Sequence, residues 1–118
     1  MVLEERGRWR GSSRDRGYDA HWDRLSIGFR RANPFCRLCG QEGRDAEVAR
    51  QVDHVLPAIE YPDLKYSWGN LQSLCIYHHS VVKQQMEKYA RETGQVKLLS
   101  VWCESLDARP RQFRPGGV

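Results

Sequence analysis

The chain has 118 residues, a formal net charge of +4 and a sequence pI near 9.0. No stretch approaches the roughly 20 apolar residues of a membrane helix, and the first twenty residues lack the apolar run of a secretory signal, which predicts a soluble, intracellular protein with no membrane partner. With 40% hydrophobic and 29% charged residues the composition is globular, but a core this small calls for a metal or disulfide staple, and the basic balance suits an anionic partner such as nucleic acid.

Residues 1–17 mix Arg, Gly and Ser without periodicity and read as a flexible basic arm. From Tyr18 to Ala32, Trp22, Leu25 and Phe29 recur at helical spacing, Asp19 stands at the start and Asn33-Pro34 stops the pattern. "CRLCG" at 36–40 predicts a tight knuckle whose glycine permits a left-handed residue. Residues 46–56, with Val48, Val52 and Val55 among polar neighbours, predict a strand ending near Pro57. The segment that follows, to Asn70, carries Pro57, Pro62 and Gly69 and predicts an irregular excursion. A second helix is expected from His79 to Arg91, where Val82, Met86 and Tyr89 share a face and Gly94 follows as a stop. Residues 95–110 fit a third short helix, and 108–118 a Pro/Arg-rich tail, leaving 18–107 as the folded domain.

Cys36, Cys39, Cys75 and His78 form C-x2-C, thirty-five intervening residues, then C-x2-H. Those are four ligands of the kind a tetrahedral structural zinc accepts, since the turn between ligands three residues apart folds both side chains to one side. Such an ion would clamp the middle of the chain across its longest loop, contributing on the order of 10 to 16 kcal/mol by analogy with small zinc peptides. Cys103, beside Leu and Trp, reads as core packing. If His78 serves zinc, His79 faces elsewhere, because neighbours at a helix start point roughly 100° apart around the axis.

Looking back along the chain, partners for His79 are Asp53, His54 and Asn70: an Asp-His pair, fifteen residues, Asn, eight residues, His. This order, interleaved with the cysteine half-sites over residues 34–83, resembles the HNH endonuclease family, and "GNLQSLCIYHH" is its most similar part. The stretch "RGYDAHWDRLSIGFRRANPFCRLC" is further similar to small free-standing HNH proteins of tailed bacteriophages and prophages, whose genes often lie near the packaging terminase. Two departures stand out: the family's second half-site is commonly C-x2-C where this chain has Cys75 and His78, and the lysine often three residues after the final His is here Lys83, four after.

The resemblance implies an α+β fold of the ββα-metal (HNH) type, braced by the zinc knuckle and preceded by an N-terminal helix. It also implies a phosphodiester hydrolase acting on DNA in the cytoplasm of a bacterial host, with terminase or other packaging proteins as partners. A phosphodiester is a poor electrophile, so its cleavage needs a cation on the phosphate, an activated water and a stabilised leaving oxygen. Asp53 and His79 offer a partial shell for one divalent cation such as Mg²⁺ or Mn²⁺, and His54 is suited to take the proton of the attacking water. Asn70 is expected to fix the loop or to orient His54. For DNA contact the candidates are Arg30, Arg31 and Lys83, with the arm (Arg6, Arg8, Arg10, Arg14, Arg16) and the tail arginines (Arg109, Arg111, Arg114) as further basic groups. The competing readings are a non-catalytic zinc-binding DNA module and a zinc-stapled packaging interaction protein, neither of which explains the Asp-His pair.

Overall fold

The computed structural model describes residues 19–117; the expected basic arm and its five arginines lie outside them. Helix α1 spans Ala20–Ala32. Asp19 caps it by accepting the Trp22 backbone N–H at 3.0 Å, and at the other end Asn33 donates its backbone N–H to the Phe29 carbonyl at 2.8 Å before Pro34 breaks the ladder. Phe29 is the residue of α1 that becomes fully buried.

An isolated antiparallel bridge between Phe35 and Val48 closes the knuckle, and Cys36 opens the short helix α2 (Arg37–Gln41), its Sγ accepting the Cys39 N–H at 3.4 Å. The left-handed glycine expected within residues 36–40 lies slightly later. Gly40 stays inside α2, and the chain reverses at Gly43, whose φ of 73° suits a residue without Cβ.

Strands β1 (Gln51–His54) and β2 (Leu71–Leu74) pair antiparallel, with Asp53 opposite Gln72 and His54 opposite Leu71. β1 is shorter than the strand expected over 46–56, because β2 is only four residues long and offers a matching ladder only to residues 51–54. Residues 55–70 form the expected excursion, tightened by 3₁₀ turns at Pro62–Leu64 and Trp68–Asn70.

After β2 the chain enters a π-helical turn, His78–Lys83, that runs into helix α3 (Gln84–Glu92). Val82, Met86 and Ala90 bury one face of this unit, and Gly94 (φ 70°) ends it. Helix α4 (Leu99–Glu104), the third short helix, turns Leu99, Trp102 and Cys103 onto the same core, together with Leu38 and Leu74. Its position makes Cys103 a core residue, as expected.

Residues 108–113, expected as part of a tail, are folded against this core. Arg109 is 0% exposed and Phe113 packs against the buried cluster. The Arg109 guanidinium donates to Glu42 Oε2 at 3.0 Å and to Gln41 Oε1 at 2.9 Å, so this arginine braces α2 and does not face an outside partner.

Candidate active site and metal centre

Cys36, Cys39, Cys75 and His78 are all buried, and their ligand atoms lie within 4.8 Å of one another. His78 Nδ1 is 3.5 Å from Cys36 Sγ, 3.4 Å from Cys39 Sγ and 3.3 Å from Cys75 Sγ, while Cys39 and Cys75 Sγ are 3.8 Å apart. A zinc tetrahedron with Zn–S of about 2.3 Å and Zn–N of about 2.0 Å has S···S edges of about 3.8 Å and S···N edges of about 3.5 Å. The donor set and its spacing therefore fit a structural zinc. Because Nδ1 faces the cluster, Nε2 is left to meet Glu42 Oε2 at 2.9 Å, the carboxylate–histidine arrangement that fixes ring orientation at metal sites. Arg109 and Arg44 hold the same carboxylate, each at 3.0 Å.

The electrostatics of the cluster also favour a cation. Burial alone would push the Cys36 thiol up, but hydrogen bonds from His78 and from the Cys75 and Cys39 backbone hold it down at about 6. Burial and its thiol neighbours push Cys39 the other way. Burial also disfavours charge on His78, yet its contacts with Cys36, Cys75 and Glu42 raise its pKa to about 9. Without an ion, a proton on His78 balances a thiolate; zinc supplies that positive charge instead.

Asp53, 9% exposed, turns its carboxylate toward the helix that follows β2. Its Oδ2 accepts from Gln72 Nε2 at 2.9 Å and lies 2.9 Å from Lys83 Nζ. Lys83 also donates to Glu87 Oε2 and to the His54 carbonyl, both at 2.7 Å. Burial would lower the pKa of this ammonium, but the charges around it, Asp53 foremost, raise it above the ordinary lysine value. Lys83 was expected at a DNA contact. At 1% exposure it has no surface to offer a phosphate, and its place is structural, between β1 and α3.

His54, next in β1, is half-buried and stacks on Trp22 of α1, with ring centroids 4.4 Å apart and planes 26° from parallel. Its Nε2 lies 2.9 Å from the Lys65 carbonyl. A carbonyl only accepts, so Nε2 carries a hydrogen, and in the neutral ring the lone pair is on Nδ1. The excursion that supplies this carbonyl is tied to α1, for Asp19 accepts from Tyr66 Oη and pairs with Lys65 Nζ at 3.0 Å, while His21 stacks on Tyr66.

Asn70 is buried, and its bonds run to backbone. Oδ1 accepts from Leu56 N–H at 2.9 Å, and Nδ2 donates to the Leu56 carbonyl at 3.0 Å and the Leu64 carbonyl at 3.4 Å. These contacts clamp both ends of the excursion, which makes Asn70 a positioning residue. His79 is half-buried on the π turn, and its ring makes no hydrogen bond among the described residues. It precedes Lys83, the partner of Asp53, by about one helical turn. Asp53 thus stands opposite the helical turn that carries His79, and the contact between the two elements is the Asp53–Lys83 pair. Arg30 and Arg31 lie exposed at the end of α1, with Arg30 Nη1 donating to the Arg50 carbonyl at 3.4 Å.

The model of the HNH endonuclease family matches residues 36–83, the span from the first zinc ligand to Lys83. That segment of the chain is of the HNH endonuclease kind. Among solved structures, the HNH endonuclease of the deep-sea thermophilic bacteriophage GVE2, crystallised with manganese ion, is similar with a TM-score of 0.55 and 26% identity, covering 67% of this chain and 84% of that one. No curated protein matches. The small α+β fold expected from the sequence is thus the HNH fold, with the zinc cluster at its base.

Several groups that shape this HNH site are absent from its motif. Trp22 and the Lys65 carbonyl set the His54 ring, Gln72 and Lys83 hold Asp53, and Glu42 with Arg109 holds His78. Glu42, three residues after Cys39, had a weak signal as an acid beside a knuckle. Arg109 had none, since sixty-seven residues separate it from Glu42.

Proposed function

We propose that this HNH nuclease is a metal-dependent DNA endonuclease of a tailed phage or prophage, working in DNA processing or packaging in the cytoplasm of a bacterial host with terminase or related packaging proteins. The likeness to a bacteriophage HNH endonuclease supports the phage setting. Among the described residues no helix is long and apolar enough to cross a membrane.

The observation that carries the nuclease chemistry is the meeting of Asp53 with the helix that bears His79, on a strand whose next residue, His54, is independently oriented. Asp53 and His79 would hold one divalent cation, of which Mg²⁺ and Mn²⁺ are the candidates. The cation would supply positive charge to the phosphate oxygens and the leaving oxygen. His54 Nδ1 accepts the proton of the attacking water as its oxygen bonds to phosphorus and the P–O3′ bond breaks, leaving 5′-phosphate and 3′-hydroxyl ends. Trp22 and the Lys65 carbonyl keep the imidazole in one orientation, and Asn70 holds the loop that presents that carbonyl. Arg30 and Arg31, exposed at the end of α1, would contact backbone phosphates, which adds affinity with little sequence preference.

Supercoiled plasmid incubated with zinc-loaded protein tests the reading. Nicked or linear product is expected only when Mg²⁺ or Mn²⁺ is added, and is expected to vanish in His54→Ala. Absence of cleavage under every metal condition would leave a zinc-stapled DNA-binding module in its place.

A further inference from the structure

A groove of about 550 Å³ lies between the end of α1, the start of α2 and the second strand. Its walls include Phe29, Phe35 and Trp68, and its polar groups include Arg37, Gln72 and Ser73. Phe35 and Trp68 are 53% and 50% exposed, so large aromatic faces stand in water at a place where the fold gives them no cover. Trp68 is held by an edge contact with Phe29 at 4.8 Å between ring centroids.

One feature separates this groove from an ordinary apolar patch. The charged residue in the lining is a cation, Arg37, which donates to Gln72 Oε1 at 3.4 Å while the other end of the same amide holds Asp53 Oδ2 at 2.9 Å. One side chain therefore bridges the groove and the candidate metal ligand. Gly69 and Leu71, also in the lining, flank Asn70.

We infer that this groove binds an unpaired nucleobase of the DNA beside the scissile phosphate. Every base has a π-face that stacks on exposed aromatic rings regardless of sequence. Arg37 can meet the phosphate attached to that base. Through Gln72 the groove adjoins Asp53, so a base seated there would lie beside the candidate site. A single nucleotide is well within the size of ligand that such a volume takes.

The inference rests on DNA being the substrate, and binding measured apart from cleavage keeps the two separable. Zinc-loaded protein without added Mg²⁺ or Mn²⁺ is titrated into fluorescein-labelled dT12 and into a twelve-unit abasic strand of the same charge, and anisotropy is read. Wild type is expected to prefer dT12 by about tenfold, the order expected for one base–aromatic stack. Trp68→Ala should remove most of that preference while leaving abasic affinity unchanged, and Trp68→Phe should retain much of it. Zinc content and melting temperature confirm that each variant is folded. Should Trp68→Ala misfold, Phe35→Ala carries the test. Equal wild-type affinity for both strands, or an undiminished preference in a folded Trp68→Ala, overturns the inference even if plasmid is cut normally. A base preference lost in Trp68→Ala upholds it even if no plasmid is cut.

Discussion

Lys83 Nζ lies 2.9 Å from Asp53 Oδ2 and 2.7 Å from Glu87 Oε2, so one buried ammonium joins strand β1 to the π turn and α3. Removing a partner from a buried ion pair leaves uncompensated charge, typically at a cost of about 3 to 5 kcal/mol. Lys83→Met is therefore expected to lower unfolding free energy by that order in a denaturant titration of the zinc-loaded protein. Added Mn²⁺ should recover part of the loss, because a divalent cation can neutralise Asp53 in place of the ammonium. A Lys83→Met protein as stable as wild type would show that the pairing carries no weight.

His54→Ala should keep zinc content and melting behaviour close to wild type yet lower plasmid cleavage by roughly 10² to 10⁴, the usual worth of a positioned general base. Trp22→Ala leaves the imidazole present but unstacked. A smaller loss of rate is expected there. Cleavage by His54→Ala at the wild-type rate would remove His54 from the chemistry.

The two adjacent histidines should separate cleanly. His78, 0% exposed among three cysteines, is a zinc ligand, so His78→Ala should lower zinc content, melting temperature and soluble yield. His79 has its ring outside that cluster, so His79→Ala should spare all three and lose metal-stimulated cleavage instead. Zinc analysis beside the plasmid assay checks both; the reverse pattern would exchange their roles.

Acid should act through Glu42. Burial works against its charge, but hydrogen bonds from His78 and Arg109 outweigh burial and hold the carboxyl below its ordinary value of 4.5. A depressed carboxylate contributes fully above its unfolded pKa, and that contribution fades as pH falls through the lower, folded value. Melting temperature is thus expected to drop as pH falls below about 4.5, while protons also begin to displace zinc from its ligands. Glu42→Gln should flatten this dependence and weaken zinc retention by about 10- to 100-fold in a chelator competition at neutral pH. Unchanged zinc retention would make the Glu42–His78 contact incidental.

DNA affinity should fall steeply with salt, since each neutralised phosphate releases counterions. Deleting residues 1–17 is expected to flatten the slope of log affinity against log salt if the arginines of that segment touch phosphates. Arg31→Ala should reduce the slope by about one. Slopes unaffected by either change would place DNA elsewhere on the surface.

What the sequence determined by itself was the order of ligands and the kind of element under each. Two half-sites of metal-ligand spacing marked the zinc cluster because ligand geometry is local, and a C-x2-C or C-x2-H turn brings its own two donors together wherever it stands. Periodicity marked α1 and the Met86 face of α3 because burial of one stripe leaves an imprint on the residues themselves. Which groups surround each functional side chain was decided only by tertiary structure, because those contacts join residues far apart in the chain with no periodic trace. Trp22 reached His54 only once α1 packed on β1, and Arg109 reached Glu42 only once the C-terminal segment folded back over α2. Lys83 shows the difference most directly. By sequence it is a basic residue near an active site, and one position later than the family's pattern places it. The π turn at 78–83, whose wider spiral takes more residues per turn than an α-helix, carries this lysine inward to Asp53 and Glu87, so its burial depends on a helical irregularity that no local pattern announces.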